Sequence, residues 1–189
     1  MNKNFFTVGI GASAGGLQSL KIFFDEIRSD LPVAFVVVTH LSRDYTSLLN
    51  NLLMPHTNMD VIRVEKDMDL IQGNIYILIE NKTIKVKEGR LIVTTRDAAI
   101  VNSAVDIFFE SLAKDFGRKA VGIILSGGGS DGLEGSKLIN KMGGNVMVQD
   151  PESAQADGMP FSIIRFDHPV AILNPKELAQ RLNRLCAFE

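Results

Sequence analysis

Thr7-Val8-Gly9-Ile10-Gly11-Ala12-Ser13-Ala14-Gly15-Gly16-Leu17 decides how the rest of the chain is read. A small, apolar, β-favouring run ends in a turn of alanine and glycine around one serine, and an amphipathic stretch begins at once. That is the layout of a strand, a tight turn and a helix. Two further segments repeat it: Val33 to Val38 leads into Thr39-His40, and Lys119 to Leu125 leads into Ser126-Gly127-Gly128-Gly129-Ser130-Asp131-Gly132. If the three runs are parallel strands of one sheet, their carboxyl ends deliver Ser13, His40 and Asp131 to one edge, where open α/β sheets build their sites.

Outward from these segments, short β-branched runs alternate with amphipathic ones, which predicts βα units around a mainly parallel sheet. The expected strands are Phe5 to Ile10, Ala34 to Thr39, Val61 to Val64, Ile75 to Ile79, Ala120 to Leu125, Asn145 to Val148 and a short Val170 to Leu173. Expected helices are Leu17 to Ile27, Tyr45 to Leu53, Ser103 to Phe116, Leu133 to Met142 and Pro175 to Leu185. In the first, Leu17, Leu20, Phe24 and Ile27 recur at helical spacing and are assigned to the core. Asn174-Pro175 reads as an N-cap followed by proline in the first turn. Thr83 to Lys87, the turn Glu88-Gly89 and Arg90 to Thr94 predict an antiparallel hairpin at an edge or rim with one wet face. The expected fold is a three-layer, doubly wound α/β domain with a mainly parallel sheet and an antiparallel hairpin. Residues 1–189 are expected to form this one domain.

The 189 residues are enough for one well-buried core, and 46% hydrophobic with 22% charged residues describes a globular chain. A formal net charge of −2 offers no basic stripe, which disfavours nucleic acid as a partner. The single Cys186 excludes an internal disulfide and argues against a thiolate metal site. No metal or cofactor is expected. No apolar run reaches the ~18 residues of a membrane helix, and the start of the chain lacks the apolar stretch of a signal peptide. The expected compartment is the cytoplasm, without membrane insertion.

A serine in a glycine-rich turn has two chemistries open to it. The helix that follows presents free N–H groups and the positive end of its dipole, which suit a phosphate or a developing oxyanion, the latter with Ala14 N–H as donor. Gly9-Ile10-Gly11-Ala12-Ser13-Ala14 even satisfies the loose dinucleotide fingerprint. That fingerprint also asks for an acidic residue roughly 20 positions on, where this chain has Thr39-His40. On the turn alone, phosphate binding and a nucleophile stand as equal readings. Of the three histidines, His56 and His168 lie in breaker-rich loops, and His40 stands at a strand's carboxyl end. Asp131 reads either as a cap of the next helix or as the acid that reaches His40 from another strand. A calcium loop is disfavoured, because too few carboxylates alternate after it.

Four segments in order resemble the catalytic domain of the CheB-type protein-glutamate methylesterases of bacterial chemotaxis. They are Gly9 to Gly16, Thr39-His40-Leu41, Gly122 to Gly127 with Gly129-Ser130-Asp131-Gly132, and Val148 to Ala154 with Gly158-Met159-Pro160. The similarity runs from about Val8 to Arg181. It implies a Ser13, His40, Asp131 triad that hydrolyses glutamate γ-methyl esters on the cytoplasmic segments of chemoreceptors and, in some members, deamidates receptor glutamines. The order serine, histidine, aspartate would be one more convergent version of the triad. Backbone N–H groups at Ala14 and around Gly127, Gly128 and Gly129 are the expected oxyanion donors, and Met159 is an expected substrate-wall residue.

The chain departs from that family in several places. Members often carry threonine where Ala14 stands, methionine where Gly128 stands and asparagine where Ser130 stands. Ile77-Leu78-Ile79-Glu80-Asn81 lacks their usual proline. These departures bear on substrate fit and rate before they bear on the chemistry. Chemotaxis methylesterases commonly carry an N-terminal receiver domain, and nothing in this sequence corresponds to it. Two expectations follow: a larger parent protein with a receiver or methyltransferase domain, or control from elsewhere. Two other functions compete with an esterase: a nucleotide-binding module, and a catalytically silent receptor-binding domain.

Overall fold

The computed structural model describes residues 4–39, 48–96 and 103–187. In chain order, the first part holds β1 (Phe6–Ala12), α1 (Gly16–Asp25), β2 (Val33–Thr39), α2 (Leu49–Leu53) and β3 (Asp60–Val64). Next come β4 (Met68–Asp69), β5 (Asn74–Leu78), β6 (Lys82–Lys87), β7 (Arg90–Thr95) and α3 (Ala104–Phe116). The last part holds β8 (Ala120–Ile124), α4 (Leu133–Lys141), β9 (Asn145–Gln149), α5 (Gly158–Phe166), β10 (Ala171–Leu173) and α6 (Pro175–Ala187).

Seven strands form one sheet in the order β10-β9-β8-β1-β2-β5-β3, and every neighbouring pair is parallel. Parallel strands need crossovers, and the crossover helices cover both faces. Val36 and Val38 of β2 therefore join one core with Phe108, Phe109 and Leu112 of α3. Phe35 and Val37 join the other with Phe23 and Phe24 of α1 and Leu178 and Leu182 of α6. From β1 the chain moves outward to β2 on one side, while β8, β9 and β10 build the other side. The topological switch therefore lies between β1 and β8.

The hairpin is present, with Glu88 (φ 54°) and Gly89 (φ 75°) in the paired left-handed conformations of a type I′ turn. It gains a third strand, β4, too short to leave a pattern in the sequence, and becomes a separate three-stranded sheet. That sheet is not a loose rim. Ile84, Val86 and Leu91 are buried in the core that holds α3, and the Asp115 carboxylate accepts the N–H groups of Glu88 (2.8 Å) and Gly89 (2.9 Å). The doubly wound three-layer arrangement thus carries a small extra sheet over α3.

Two local expectations change. Leu17 is 37% exposed, and α1 instead buries Gly16, Ser19, Leu20, Phe23 and Phe24. Small residues face the sheet because the helix starts hard against β1: a Cβ on Gly16 would stand 2.7 Å from the Ala12 Cβ. The expected helix Tyr45 to Leu53 falls partly outside the described residues, and its described part begins at Leu49. The last helix starts as expected, and as a full capping box: Glu177 N–H donates to Asn174 Oδ1 at 3.0 Å, and Asn174 N–H donates to Glu177 Oε2 at 3.4 Å. Cys186 is buried and forms no disulfide among the described residues. Among the described residues no helix is long and apolar enough to cross a membrane.

Candidate active site

Ser13 lies where the β1/β8 pairing runs past the ends of both strands. Leu125 N–H donates to Gly11 O, and Ser13 N–H then donates to Ser126 O, each at 2.9 Å. This continued ladder sets the serine, which is half-buried, against the glycine-rich loop after β8. The chain turns at once: Gly16 N–H returns to Ser13 O at 2.9 Å, and Gly15 adopts φ 75°. A Cβ at Gly15 would meet Ser126 Oγ at 2.7 Å, so the turn needs a residue without one.

The strand glycines have a different purpose. Gly9 and Gly11 lie inside β1, on the face covered by α3, and a Cβ there would strike Phe109 and Phe108 or Val105 at 2.6–2.9 Å. They make room for a helix. The dinucleotide fingerprint instead places its glycines in the turn after the strand, so the match of this sequence to it is fortuitous.

Three polar groups, none singled out by the sequence, staple the site: Ser126 and Gln149 are buried, and Asp106 is partly buried. Ser126 Oγ donates to Ala14 O at 2.7 Å and accepts Ala156 N–H at 3.0 Å, joining the serine turn to the loop before α5. Gln149 accepts Ser126 N–H at 2.9 Å through Oε1 and donates through Nε2 to Ser153 O at 3.0 Å. Asp106 stands in the first turn of α3. A sequence signal existed for the first two: each is a polar residue at the end of an apolar strand run. Such a residue is buried only with partners.

The loop after β8 modifies the expected oxyanion donors. Gly127 N–H is spent on Ala156 O at 2.9 Å, and Gly127 O accepts Met159 N–H at 2.8 Å. Gly127 is therefore not a free donor, which corrects its assignment. The N–H groups of Ala14, Gly128 and Gly129 make no hydrogen bond among the described residues, and all three residues are exposed beside Ser13 or on its facing loop. Met159, expected in a substrate wall, is fully buried with its sulfur against Gly127. It braces the loop from beneath instead of facing solvent.

Asp131 is 5% exposed. Its Oδ2 accepts Val105 N–H at 3.0 Å and its Oδ1 accepts Asp106 N–H at 2.9 Å. It therefore caps a helix, but α3 and not the α4 that follows it. Each carboxylate oxygen carries two lone pairs, so this cap leaves acceptor capacity for an imidazole. His40 lies outside the described residues. Thr39, which precedes it, is the β-ladder partner of Ala12, which precedes Ser13.

Next to Asp131 stands Asp106. Its Oδ1 accepts Gly135 N–H at 2.8 Å. Burial pushes its carboxyl up to about 6, helped by the charges of Asp131 and Glu134, while the N–H groups of Gly135 and Gly132 pull the other way. Among the described residues no cluster of histidine, cysteine or carboxylate side chains could hold a metal ion. The parts that the described residues assemble are a half-buried serine at a strand end, backbone N–H groups on Ala14 and the facing loop that make no hydrogen bond among those residues, and a fixed buried carboxylate.

A family model described as CheB methylesterase matches residues 8–182. A protein-glutamate methylesterase/protein-glutamine glutaminase of Pseudomonas aeruginosa is 31% identical over 177 residues, which are 93% of this chain and 53% of that protein. A 104.1 kDa protein of Rhodobacter capsulatus is 42% identical over 115 residues, 60% of this chain but 12% of its own. The crystal structure of the Thermotoga maritima CheB methylesterase catalytic domain superposes with a TM-score of 0.87 at 25% identity, covering 96% of this chain and 99% of that one. The chain spans about half the length of most curated relatives it matches. With the family model matching most of its length, the chain belongs to the CheB methylesterase family.

Proposed function

We propose that the protein is a serine hydrolase that removes methyl groups from glutamate γ-methyl esters on the cytoplasmic segments of chemoreceptors. Ser13, His40 and Asp131 are its proposed triad. The observation that carries this reading is the extension of the β1/β8 ladder, which sets Ser13 against a loop offering free N–H groups and ending in buried Asp131. The names of the relatives and the Ala12–Thr39 register beside His40 support it.

In the proposed reaction His40 takes the hydroxyl proton as Ser13 Oγ attacks the ester carbonyl. Asp131 holds the imidazole in the required tautomer. The oxyanion is received by the N–H groups of Ala14 and of Gly128 or Gly129, each worth roughly 3 kcal/mol in a dry site. The tetrahedral intermediate expels methoxide, which His40 protonates, and methanol leaves. Water then adds to the glutamyl-serine ester by the same steps, regenerating Ser13 and releasing the γ-carboxylate. An amide would follow the same path with ammonia as leaving group, which is how the glutaminase in the relatives' names would use one site. A receiver or methyltransferase domain in a larger parent is the proposed source of control, and the cytoplasm is the proposed place of action.

The test is methanol release from a methylated receptor fragment, run beside labelling with a fluorophosphonate probe and mapping of the modified peptide. Expected are turnover and one label at Ser13. Absence of both methanol and label would leave a receptor-binding domain without catalysis.

A further inference from the structure

We propose that Asp106 is a positioning residue for Asp131, acting through an exchange of caps between the starts of α3 and α4. The proposal rests on the triad reading of Asp131.

A helix start leaves its first N–H groups without partners and normally takes a cap from the residue just before it. Neither helix does so here. Ser103 stands at the N-cap position of α3 and makes no side-chain cap, and Gly132 at the N-cap of α4 has no side chain to offer. The missing acceptors cross over. Asp131, one residue before the α4 cap, takes the N–H groups of Val105 and Asp106, the second and third residues of α3. Asp106 returns its carboxylate to Gly135, the third residue of α4. Each aspartate does for the other's helix what a local N-cap would do.

The exchange closes a ring of contacts through Asp131. Gly135 is buried, and a Cβ there would collide with Phe109 and stand 3.1 Å from Asp106 O, so the two helix starts touch backbone to backbone. Asp131 is thereby held from both sides: its carboxylate by α3, and its backbone by a helix that Asp106 ties to α3. Without the Asp106 acceptor, a buried N–H at Gly135 loses its partner and the start of α4 is free to shift, taking Asp131 with it. The position is kept at a cost, since burial beside Asp131 and Glu134 disfavours the Asp106 anion. A carboxylate tolerated there is a candidate for a functional role.

The experiment measures kcat and KM for methanol release in the unaltered chain, Asp106→Ala, Asp106→Asn, Asp131→Asn and the double variant Asp106→Ala/Asp131→Asn. Misplacing a catalytic group by about 1 Å costs about a hundredfold. The expected result is therefore a loss of kcat of about that size in Asp106→Ala, with KM unchanged. Asp106→Asn keeps an acceptor of the same length and is expected to recover most of kcat. The double variant should be no slower than Asp131→Asn alone, because a group that acts through Asp131 has nothing left to position. An unaltered kcat in Asp106→Ala overturns the proposal, and so does a loss that multiplies in full with that of Asp131→Asn. Should Asp106→Ala fail to fold, Asp106→Glu carries the test: it keeps the charge, places it one methylene too far out, and is expected to lose kcat similarly. Full activity in Asp106→Glu then overturns the proposal. A loss under about tenfold in Asp131→Asn itself would instead remove the triad reading, which is a separate outcome.

Discussion

Two carboxylates share the junction of α3 and α4, and they differ in what holds them. Asp131, the more deeply buried of the two, receives two main-chain N–H groups, while the partly buried Asp106 receives the N–H of Gly135. The Asp106 carboxyl lies at about 6, against 3.8 for an ordinary aspartate, so the folded chain binds this proton more tightly than the unfolded one. Its contribution to stability is full below about pH 4 and is lost as the pH rises through about 6. Asparagine at 106 has no proton to lose. Asp106→Asn should therefore gain stability relative to the unaltered chain between about pH 4 and about pH 7. Urea midpoints at the two ends of that range read the difference, and an unchanged gap would contradict the assignment of cause. At this scale the sequence was legible for Ser13 and Asp131, whose places follow from strand ends and glycines. Ser126 and Gln149 left only the trace of a polar residue closing an apolar run, and Asp106 left none, because each acts on a group far along the chain and spacing carries no record of such partners.

Elements show the same division between local and distant causes. The capping box of α6 and the type I′ turn of the hairpin are rules among neighbours, and both were readable in Asn174-Pro175 and Glu88-Gly89. Asp131 looked like a cap for the helix after it, whereas it caps a helix start 26 positions earlier. β4 was missed because its two residues are too few to alternate. Leu17 was misplaced because α1 touches β1 through Gly16, which takes the sheet-facing place at the start of the helix, while Leu20 and Phe24 are buried as expected. The meeting of α3 and α4 at Gly135 gives a prediction at this scale. Gly135→Ala drives a methyl into Phe109, which should destabilise the fold by about 1–3 kcal/mol through overpacking. It should also lower kcat, because α4 moves off Asp106. Denaturant unfolding and methanol release measure the two effects, and a variant equal to the unaltered chain in both would contradict the close contact.

For the molecule as a whole, alternation of β-branched and amphipathic runs was enough to establish parallel βα organisation, since strands buried on both faces read as continuous apolar stretches. What pattern cannot give is strand order. The switch between β1 and β8, past which Ser13 lies, emerges only from the pairing. The same pairing explains why glycines 9 and 11, which imitate a phosphate-binding signature, serve helix packing. The molecule then assigns its glycines by face: inside β1 they admit α3, and after β1 and β8 they expose backbone donors around Ser13. The central claim is that the site around Ser13 performs covalent ester hydrolysis. Methanol release from a methylated receptor fragment by Ser13→Ala, beside the unaltered chain, tests it most directly. The account predicts a loss on the order of 10⁴ to 10⁶ in kcat with the fold intact, and undiminished release by that variant would contradict it.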